Sequence, residues 1–248
     1  MTGLRHLIIF VLLTESYFSQ QRTYIGIESS LTTDFVDIVG NVTHLGQTPL
    51  IDYRIGLTAR QDINSFLSAE IGFTYKRFHE GFNVKSSLSF KSNKTIDAYC
   101  IPTRLITRIN LRKEKVFLCP VLGLTSCINP QDRDATYDYN KYVNATDSLA
   151  IYSGTYFYNQ KVFLLIQTGV SVDFIFKNNS SLTLFSSYYN GLQIISRSYV
   201  LYQENDYRPV YLEMFRKGSF WDMLGISYKY PIRNGRQKKD IITGANTG

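Results

Sequence analysis

Two cysteines are spaced so that they could meet across a pair of strands. Cys100 and Cys127 flank the short polar segment 111–115, which separates two stretches of alternating apolar and polar residues. If the turn centres near Lys113, residues whose numbers sum to about 227 face each other in an antiparallel pair. Cys100 and Cys127 meet this condition. A disulfide requires a specific geometry, so a cross-strand bond and two free thiols both remain open, and Cys119 is left over.

A histidine and two serines could provide nucleophilic chemistry. His79 precedes Ser86 and Ser87, and lipid hydrolases and acyltransferases pair a His with a Ser of this kind. Ser is frequent in this chain, however, and a solvated loop histidine accounts for His79 without any reaction. The acidic residues of segment 132–147 lack the Gly and the closing Glu of a calcium loop. We therefore expect no catalytic residue, no metal and no cofactor.

Composition narrows the class of protein. The chain has 248 residues, 15% of them aromatic, 44% hydrophobic and 19% charged. This aromatic content excludes disorder, and the absence of any apolar run near 18 residues excludes a helical membrane protein. The net charge is +7, with one basic cluster in the segment 233–239. No nucleic-acid-binding motif accompanies that cluster, so we expect no nucleic-acid partner.

The N-terminus has the pattern of an export signal. Arg5 and His6 precede the apolar segment 7–13, which is too short to span a bilayer and is followed by polar residues. The predicted division of the chain is a signal peptide at 1–20, a barrel at 21–232 and a basic periplasmic tail at 233–248. Export would bring the cysteines into an oxidising compartment.

The remaining chain alternates with period two, which is typical of strands. The pattern predicts eight strands, at 22–31, 51–60, 67–76, 96–110, 116–128, 162–176, 180–192 and 220–231. Short polar links (61–65, 111–115, 177–179) alternate with long ones (32–50, 79–95, 129–161, 193–219). Such segregation of loop lengths is typical of a membrane barrel. Asn190-Gly191 is a strong hairpin signal that would give ten strands, but a turn there would interrupt the apolar face.

The two faces of these strands differ in a way that indicates which one is inside. One face is apolar and carries Tyr near its ends, as at a membrane boundary. The other face has a Gly in six strands and charged side chains that must pair if buried. The predicted interior network is Glu28, Arg54, Glu70, Arg104, Arg108, Asp173 and Lys229. The sequence therefore favours an all-β, eight-stranded antiparallel up-and-down transmembrane β-barrel. The alternative is a soluble secreted barrel whose apolar face lines a ligand cavity.

Several segments follow one another in a recognisable order: the signal end Phe18-Ser19-Gln20, the segments 53–56 and 70–75, the Ile101-Pro102 step, and the segments 121–124 and 224–230. Together they resemble the PorT-like outer-membrane barrels of Bacteroidetes. The resemblance spans about residues 20–231 and implies an eight-stranded barrel with both termini in the periplasm. It transfers no functional residues. One departure is that 18 residues follow Tyr230, whereas barrels of this family usually end at the last aromatic residue.

The long links carry the remaining functional expectations. The third contains the predicted recognition loop, with Tyr137, Tyr139, Tyr142, Tyr152, Tyr156 and Tyr158. Tyr provides contact area at low entropic cost. We expect segments 193–202 and 209–219 to extend two strands beyond the membrane and to present an edge to a partner. The predicted function is structural or recognitional in the bacterial outer membrane, not that of a wide pore. We expect a monomer surrounded by lipid, with a protein partner at the loops or the strand edge. A lipid-modifying enzyme at the rim is a further alternative.

Overall fold

The structure is a computed structural model that describes residues 22–39, 45–47, 51–84, 90–113, 115–130, 137–145, 148–204 and 210–232. The predicted signal peptide and basic tail lie outside the described residues, as do Ser86, Ser87, Asp132 and Asp134. Among the described residues no helix is long and apolar enough to cross a membrane.

All regular elements of the described residues are strands, fifteen in number. In chain order they are β1 Thr23–Asp34, β2 Asp37–Val39, β3 Leu45–Gln47, β4 Ile51–Asp62, β5 Leu67–Val84, β6 Phe90–Thr107, β7 Ile109–Arg112, β8 Val116–Ile128, β9 Tyr137–Ala145, β10 Ser148–Tyr158, β11 Val162–Ile175, β12 Ser181–Gly191, β13 Ser196–Glu204, β14 Val210–Arg216 and β15 Phe220–Ile232.

Eight of these strands close into a barrel. The order β1-β4-β5-β6-β8-β11-β12-β15 is antiparallel throughout, and β15 pairs with β1 to complete the circle. Short β7 continues β6 after a break at Arg108, and β3 adds to the upper part of β5. The predicted eight-stranded up-and-down barrel is confirmed. Asn190 and Gly191 end β12 rather than form a turn, so the ten-stranded alternative is wrong.

The alternating sequence produces an alternating barrel wall. In β4, Ile55 and Leu57 are 53% and 61% exposed, whereas Arg54 and Arg60 are 3% and 4% exposed. Successive side chains of a strand point to opposite faces, so β4 directs its apolar residues outward and its polar residues inward. The soluble alternative required the opposite arrangement.

Three tight connections lie at one end of the barrel, which we call the turn end. Asn64 Oδ1 accepts the backbone N–H groups of Phe66 and Leu67, at 3.0 and 2.7 Å. Asn178 Oδ1 does the same for Ser180 at 3.1 Å, and Asn179 has a φ of 61°. Asn tolerates this left-handed conformation and its side chain mimics a turn hydrogen bond. Both chain ends of the barrel, Thr23 and Ile232, also lie at the turn end.

The opposite end, which we call the loop end, carries a second sheet. Its order is β2-β14-β13-β10-β9, so four of its strands continue the adjacent wall β1-β15-β12-β11. The expected extension of 193–202 and 209–219 is present as β13 and β14. The prediction of loops is wrong for two segments. Segment 129–161 contains the paired strands β9 and β10, and most of 79–95 belongs to β5 and β6. Segment 129–161 is rich in Tyr, which has a high β-propensity, whereas 79–95 is mostly polar and extends strands that begin in the barrel wall.

Candidate functional site

The outer wall forms an apolar belt bordered by aromatic side chains. An upper aromatic row near the loop end consists of Tyr53, Tyr75, Tyr99, Tyr188 and Trp221, and a lower aromatic row near the turn end consists of Phe66, Phe176 and Tyr230. The rings of Tyr75 and Tyr99 lie 5.8 Å apart. Phe66, which directly precedes β5, and Tyr75 on β5 are about 30 Å apart at the usual rise per residue. A tilted strand of this length crosses an apolar band about 25 Å tall.

The barrel interior is occupied by a central cluster of six charged side chains: Glu28, Arg54, Glu70, Arg104, Asp222 and Lys229. Arg54 pairs with Glu28, and its Nη2 lies 2.6 Å from Asp222 Oδ2. Arg104 Nη1 lies 2.6 Å from a carboxylate oxygen of both Glu28 and Glu70. Lys229 Nζ is 2.8 Å from Glu70 Oε2. With three cations and three anions the cluster has no formal net charge, which lowers the cost of burying it.

Neutral side chains extend the central cluster across the barrel. Arg104 Nε donates to Gln167 Oε1 at 3.0 Å, and Gln167 Nε2 donates to Ser187 Oγ at 3.1 Å. Ser30 Oγ donates to Asp222 Oδ1 at 2.9 Å. Together with the ion pairs, these bonds connect side chains from every barrel strand except β8, so the network spans the lumen.

A second charged group closes the turn end. Arg60 Nη1 lies 2.7 Å from Asp173 Oδ2, and Arg108 Nη1 lies 3.2 Å from Asp62 Oδ2. The guanidinium of Arg108 also lies 4.2 Å from the centre of the Phe117 ring, which is a favourable cation–π geometry. The predicted interior residues thus divide between two clusters: Arg108 and Asp173 lie here, and the other five lie in the central cluster.

The alternation along β15 does not by itself predict that Asp222 lies inside the barrel. The even-numbered residues Leu224, Ile226 and Tyr228 of this strand face outward, yet Asp222 is fully buried. The register of β15 against β1 shifts between Leu31 and Thr32, where Met223 has no partner. A bulge of this type reverses the inside–outside alternation beyond it. No residue type in the sequence indicates this bulge.

An aromatic layer lies above the central cluster. Tyr189 and Phe220 stack with ring centres 4.1 Å apart, and Phe78 packs edge-on to Phe220 and Phe163 at 5.6 and 6.1 Å. Cys100 and Cys127 form a disulfide bond within the same buried layer, and Cys119 is a buried free thiol elsewhere in the barrel. The layer separates the charged interior from the loop end.

The described part of the lumen holds two small voids, of ≈ 20 Å³ beside Arg104 and ≈ 10 Å³ beside Arg60. A void of this size holds about one water molecule. Two much larger apolar hollows, ≈ 610 and ≈ 490 Å³, lie on the outer wall around Ile27 and Leu57 and therefore face the belt's surroundings. At the level of the two charged clusters the lumen is filled by buried side chains.

His79 joins three elements at the barrel mouth. Its backbone N–H donates to Asp34 Oδ2 on β1 at 2.6 Å, and its carbonyl accepts a hydrogen bond from Arg216 of β14. Its Nδ1 lies 2.5 Å from Asp52 Oδ2 on β4. Lys76 Nζ adds an ion pair with Asp34 at 2.9 Å. These contacts link β5 to β1, β4 and β14 at the base of the second sheet. Among the described residues no group of three acidic, His or Cys side chains could hold a metal.

One charged pair lies just beyond the upper aromatic row. Arg77 Nε is 3.2 Å from Asp97 Oδ1, and Tyr75 donates its hydroxyl hydrogen to the same carboxylate at 2.7 Å. Hydrogen bonding to Asp97 and Tyr75 raises the pKa of Arg77 above its ordinary value. The pair is exposed to solvent, so it marks the border of the belt and adds little stability.

The six tyrosines of the predicted recognition loop lie on β9 and β10. In the backbone register Tyr137 is opposite Tyr156, and Tyr142 is opposite Ile151. Tyr152 is opposite Tyr202 of β13. Nearer the barrel, Phe157 and Tyr199 are exposed, with ring centres 5.9 Å apart. The tyrosines thus belong to a regular sheet and not to an irregular loop.

No family model matches the chain, and no curated protein matches it. Among solved structures, the chain is similar to the outer membrane protein OprG from Pseudomonas aeruginosa, with 14% identity over 84% of this chain and 96% of that one, and a TM-score of 0.44. It is also similar to Ail, the attachment invasion locus protein of Yersinia pestis (15% identity, 84% and 98% covered, TM-score 0.34). A major outer membrane protein from Thermus thermophilus gives 9% identity, 85% and 99% covered, and a TM-score of 0.42. At these values no residue role or ligand is transferred to this chain.

Proposed function

We propose that this protein is a bacterial outer-membrane β-barrel that anchors a recognition surface outside the cell. The single observation that carries the proposal is the second sheet, which continues one wall of a filled barrel beyond the apolar belt. The barrel supplies the anchor, and the sheet supplies the surface. A signal peptide at 1–20 would deliver the chain, and kinship with the PorT-like barrels of Bacteroidetes is part of the same proposal.

The membrane part of the proposal rests on the outer wall. Large apolar side chains such as Ile27, Leu57 and Leu122 are about 60% exposed, and no described residue covers them. A soluble protein rarely exposes so continuous an apolar surface. In a bilayer the same belt is buried in hydrocarbon, while closure of the barrel leaves no open edge among its eight strands.

The recognition part rests on the open edge of the second sheet. Among the described strands β9 pairs on one side only, with β10, over nine residues without a register shift. The other edge, β2, has only three residues. A long regular edge offers backbone donors and acceptors to an added strand. We assign the partner to this edge and to the tyrosines around it.

The location is tested on the full-length protein expressed with its own signal. The outer-membrane fraction is isolated, and boiled and unboiled samples are compared on a denaturing gel. The expected result is a mobility shift on boiling, because a closed barrel resists unfolding by detergent. Recovery in the soluble fraction without a shift would contradict the proposal.

The recognition role is tested by removing the β9–β10 hairpin. Asn129 N–H donates to the Lys161 carbonyl at 2.8 Å, so residues 130–160 can be replaced at this point by an Asn-Gly turn. A displayed library of extended peptides is selected on the wild-type protein in nanodiscs and then tested on the shortened protein. We expect the selected peptides to lose binding. A control protein whose β5–β6 hairpin is shortened at 82–92 should still bind the selected peptides. Equal binding to both shortened proteins and the wild type would contradict the recognition role.

A further inference from the structure

The turn end of the barrel carries a set of exposed cations. They are Arg22, Arg112, Lys113, Lys115 and Lys177, which we call the basic rim. The acidic side chains described at this end are Asp62 and Asp173, and both are paired with arginines of the barrel. The rim cations are therefore not neutralised by these carboxylates.

The rim is continuous although its residues come from three parts of the chain. The backbone N–H of Ile175 donates to the Lys115 carbonyl at 2.8 Å, which joins the β7–β8 and β11–β12 turns. Arg22 Nη1 donates to Asn179 Oδ1 at 2.8 Å, which joins the start of β1 to the β11–β12 turn. Cations that are distant in sequence thus share one side of the barrel.

The height of the rim is set by the apolar residues beside it. Lys177 directly follows Phe176 of the lower aromatic row, which is 47% exposed, and Arg112 follows Leu111, which is 57% exposed. Aromatic residues lie at the boundary of the hydrocarbon, and long basic side chains reach from it toward the headgroups. In the proposed membrane orientation the basic rim therefore lies at the level of the lipid headgroups.

We propose that the basic rim binds anionic phospholipid headgroups of the leaflet that surrounds the turn end. This inference rests on the proposed membrane location. Anionic headgroups fit because their phosphates meet several cations at once at a fixed height, beside apolar side chains that contact the acyl chains. Each basic residue near an anionic membrane surface favours such lipids by roughly fivefold. The rim thus selects the lipid that surrounds this end of the barrel.

The test uses the whole barrel in nanodiscs made of equal parts phosphatidylcholine and phosphatidylglycerol. Lipids that stay bound after the nanodisc is removed are counted by native mass spectrometry. We expect phosphatidylglycerol to be enriched about fivefold or more over the bulk mixture. The variant Lys115→Glu/Lys177→Glu reduces the formal charge of the rim from +5 to +1, and its bound lipid should approach the bulk ratio.

A charge-matched control distinguishes an effect of the rim from an effect of the protein's net charge. Lys91→Glu/Lys94→Glu makes the same change on β6, at least five residues beyond Tyr99 of the upper aromatic row, and should keep the enrichment. Equal loss in both variants would overturn the proposal, as would a wild-type barrel that inserts and shifts on boiling but binds both lipids equally. Loss of enrichment on adding soluble glycerophosphate would identify a free-phosphate site instead. Failure of the wild type to insert would overturn the membrane location as well.

Discussion

Buried charges in the barrel stabilise one another because each has an opposite charge within contact distance. The guanidinium of Arg54 is the clearest case, since it lies between Glu28 and Asp222 and only 3% of the residue is exposed. Replacing a whole buried ion pair by apolar residues costs little in many proteins, but removing one partner leaves an uncompensated charge. The sign of the charge at each position of the central cluster is therefore constrained by its neighbours.

Removing the carboxylate of Asp222 tests this constraint. We expect Asp222→Asn to lower the free energy of unfolding by about 3 kcal/mol, because Arg54 keeps only Glu28. The measurement is urea unfolding of the refolded protein in lipid vesicles. As a control, Asp97→Asn removes the partner of exposed Arg77 and should change stability much less. Similar losses in the two variants would contradict the burial of the central cluster.

Some positions on the inner wall require glycine because neighbouring strands approach closely there. A Cβ at Gly56 would lie 2.4 Å from Thr74 Cγ2 and 2.5 Å from the Phe73 carbonyl oxygen. We expect Gly56→Ala to lower the free energy of unfolding by about 1–3 kcal/mol. Ala59→Val on the lipid-facing side of the same strand should be nearly neutral. If the lipid-facing change proved the more costly one, the assignment of faces would be wrong.

Residue-level prediction from sequence succeeds where the strands are regular. Alternation places Glu28, Arg54 and Glu70 on the inner wall, and the structure has them there. The same rule misses Asp222, because the bulge in β15 shifts the alternation by one residue. It also misses the role of Arg216, which depends on a sheet that continues the barrel wall.

At the scale of strands, the disulfide joins β6 and β8 at the base of the β9–β10 hairpin. Cys100 and Cys127 are 27 residues apart in sequence and directly opposite each other in the register. Loop-closure entropy for a link of this length is worth about 3 kcal/mol in the unfolded state. The bond therefore holds β8, the strand from which the hairpin begins, against its neighbour β6.

Thiol counting tests the disulfide directly. The denatured protein should react with one equivalent of maleimide before reduction, at Cys119, and with three after reduction. Cys119→Ala should abolish the first reaction and leave two thiols after reduction. Three reactive thiols without a reductant would show that Cys100 and Cys127 are not bonded. Cys100→Ser/Cys127→Ser should lower the free energy of unfolding by about 3 kcal/mol.

The strands of the membrane part could be predicted from sequence because one of their faces is uniformly apolar. Segments 137–145 and 148–158 lack that regular apolar face, so they resemble loops until their pairing partners are known. Their strand character depends on the pairing of β9 with β10 and on the long-range pairing of β10 with β13, and no local pattern encodes the latter. The register across the tight turns, by contrast, follows from turn position alone, as Cys100 and Cys127 illustrate.

For the whole molecule, the filled lumen predicts that the barrel does not conduct ions. The central cluster, the aromatic layer and the charged group at the turn end block the axis at three levels. An eight-stranded barrel has an interior just wide enough for side chains. We expect no steady conductance steps from the purified protein in a planar bilayer, with a known porin as the positive control. Stable open-channel currents would contradict the sealed lumen.

The outward apolar wall is the central claim for the whole molecule, and tryptophan quenching tests it most directly. The chain has a single Trp. Trp221 lies on the outer wall, 44% exposed, and its Nε1–H donates to Ser186 Oγ at 2.9 Å. In vesicles of brominated lipid, bromines near the headgroup should quench Trp221 more than deep ones. In the variant Trp221→Phe/Leu57→Trp, deep bromines should quench more strongly. Emission quenched by aqueous iodide and unaffected by brominated lipid at both positions would contradict a membrane-spanning barrel.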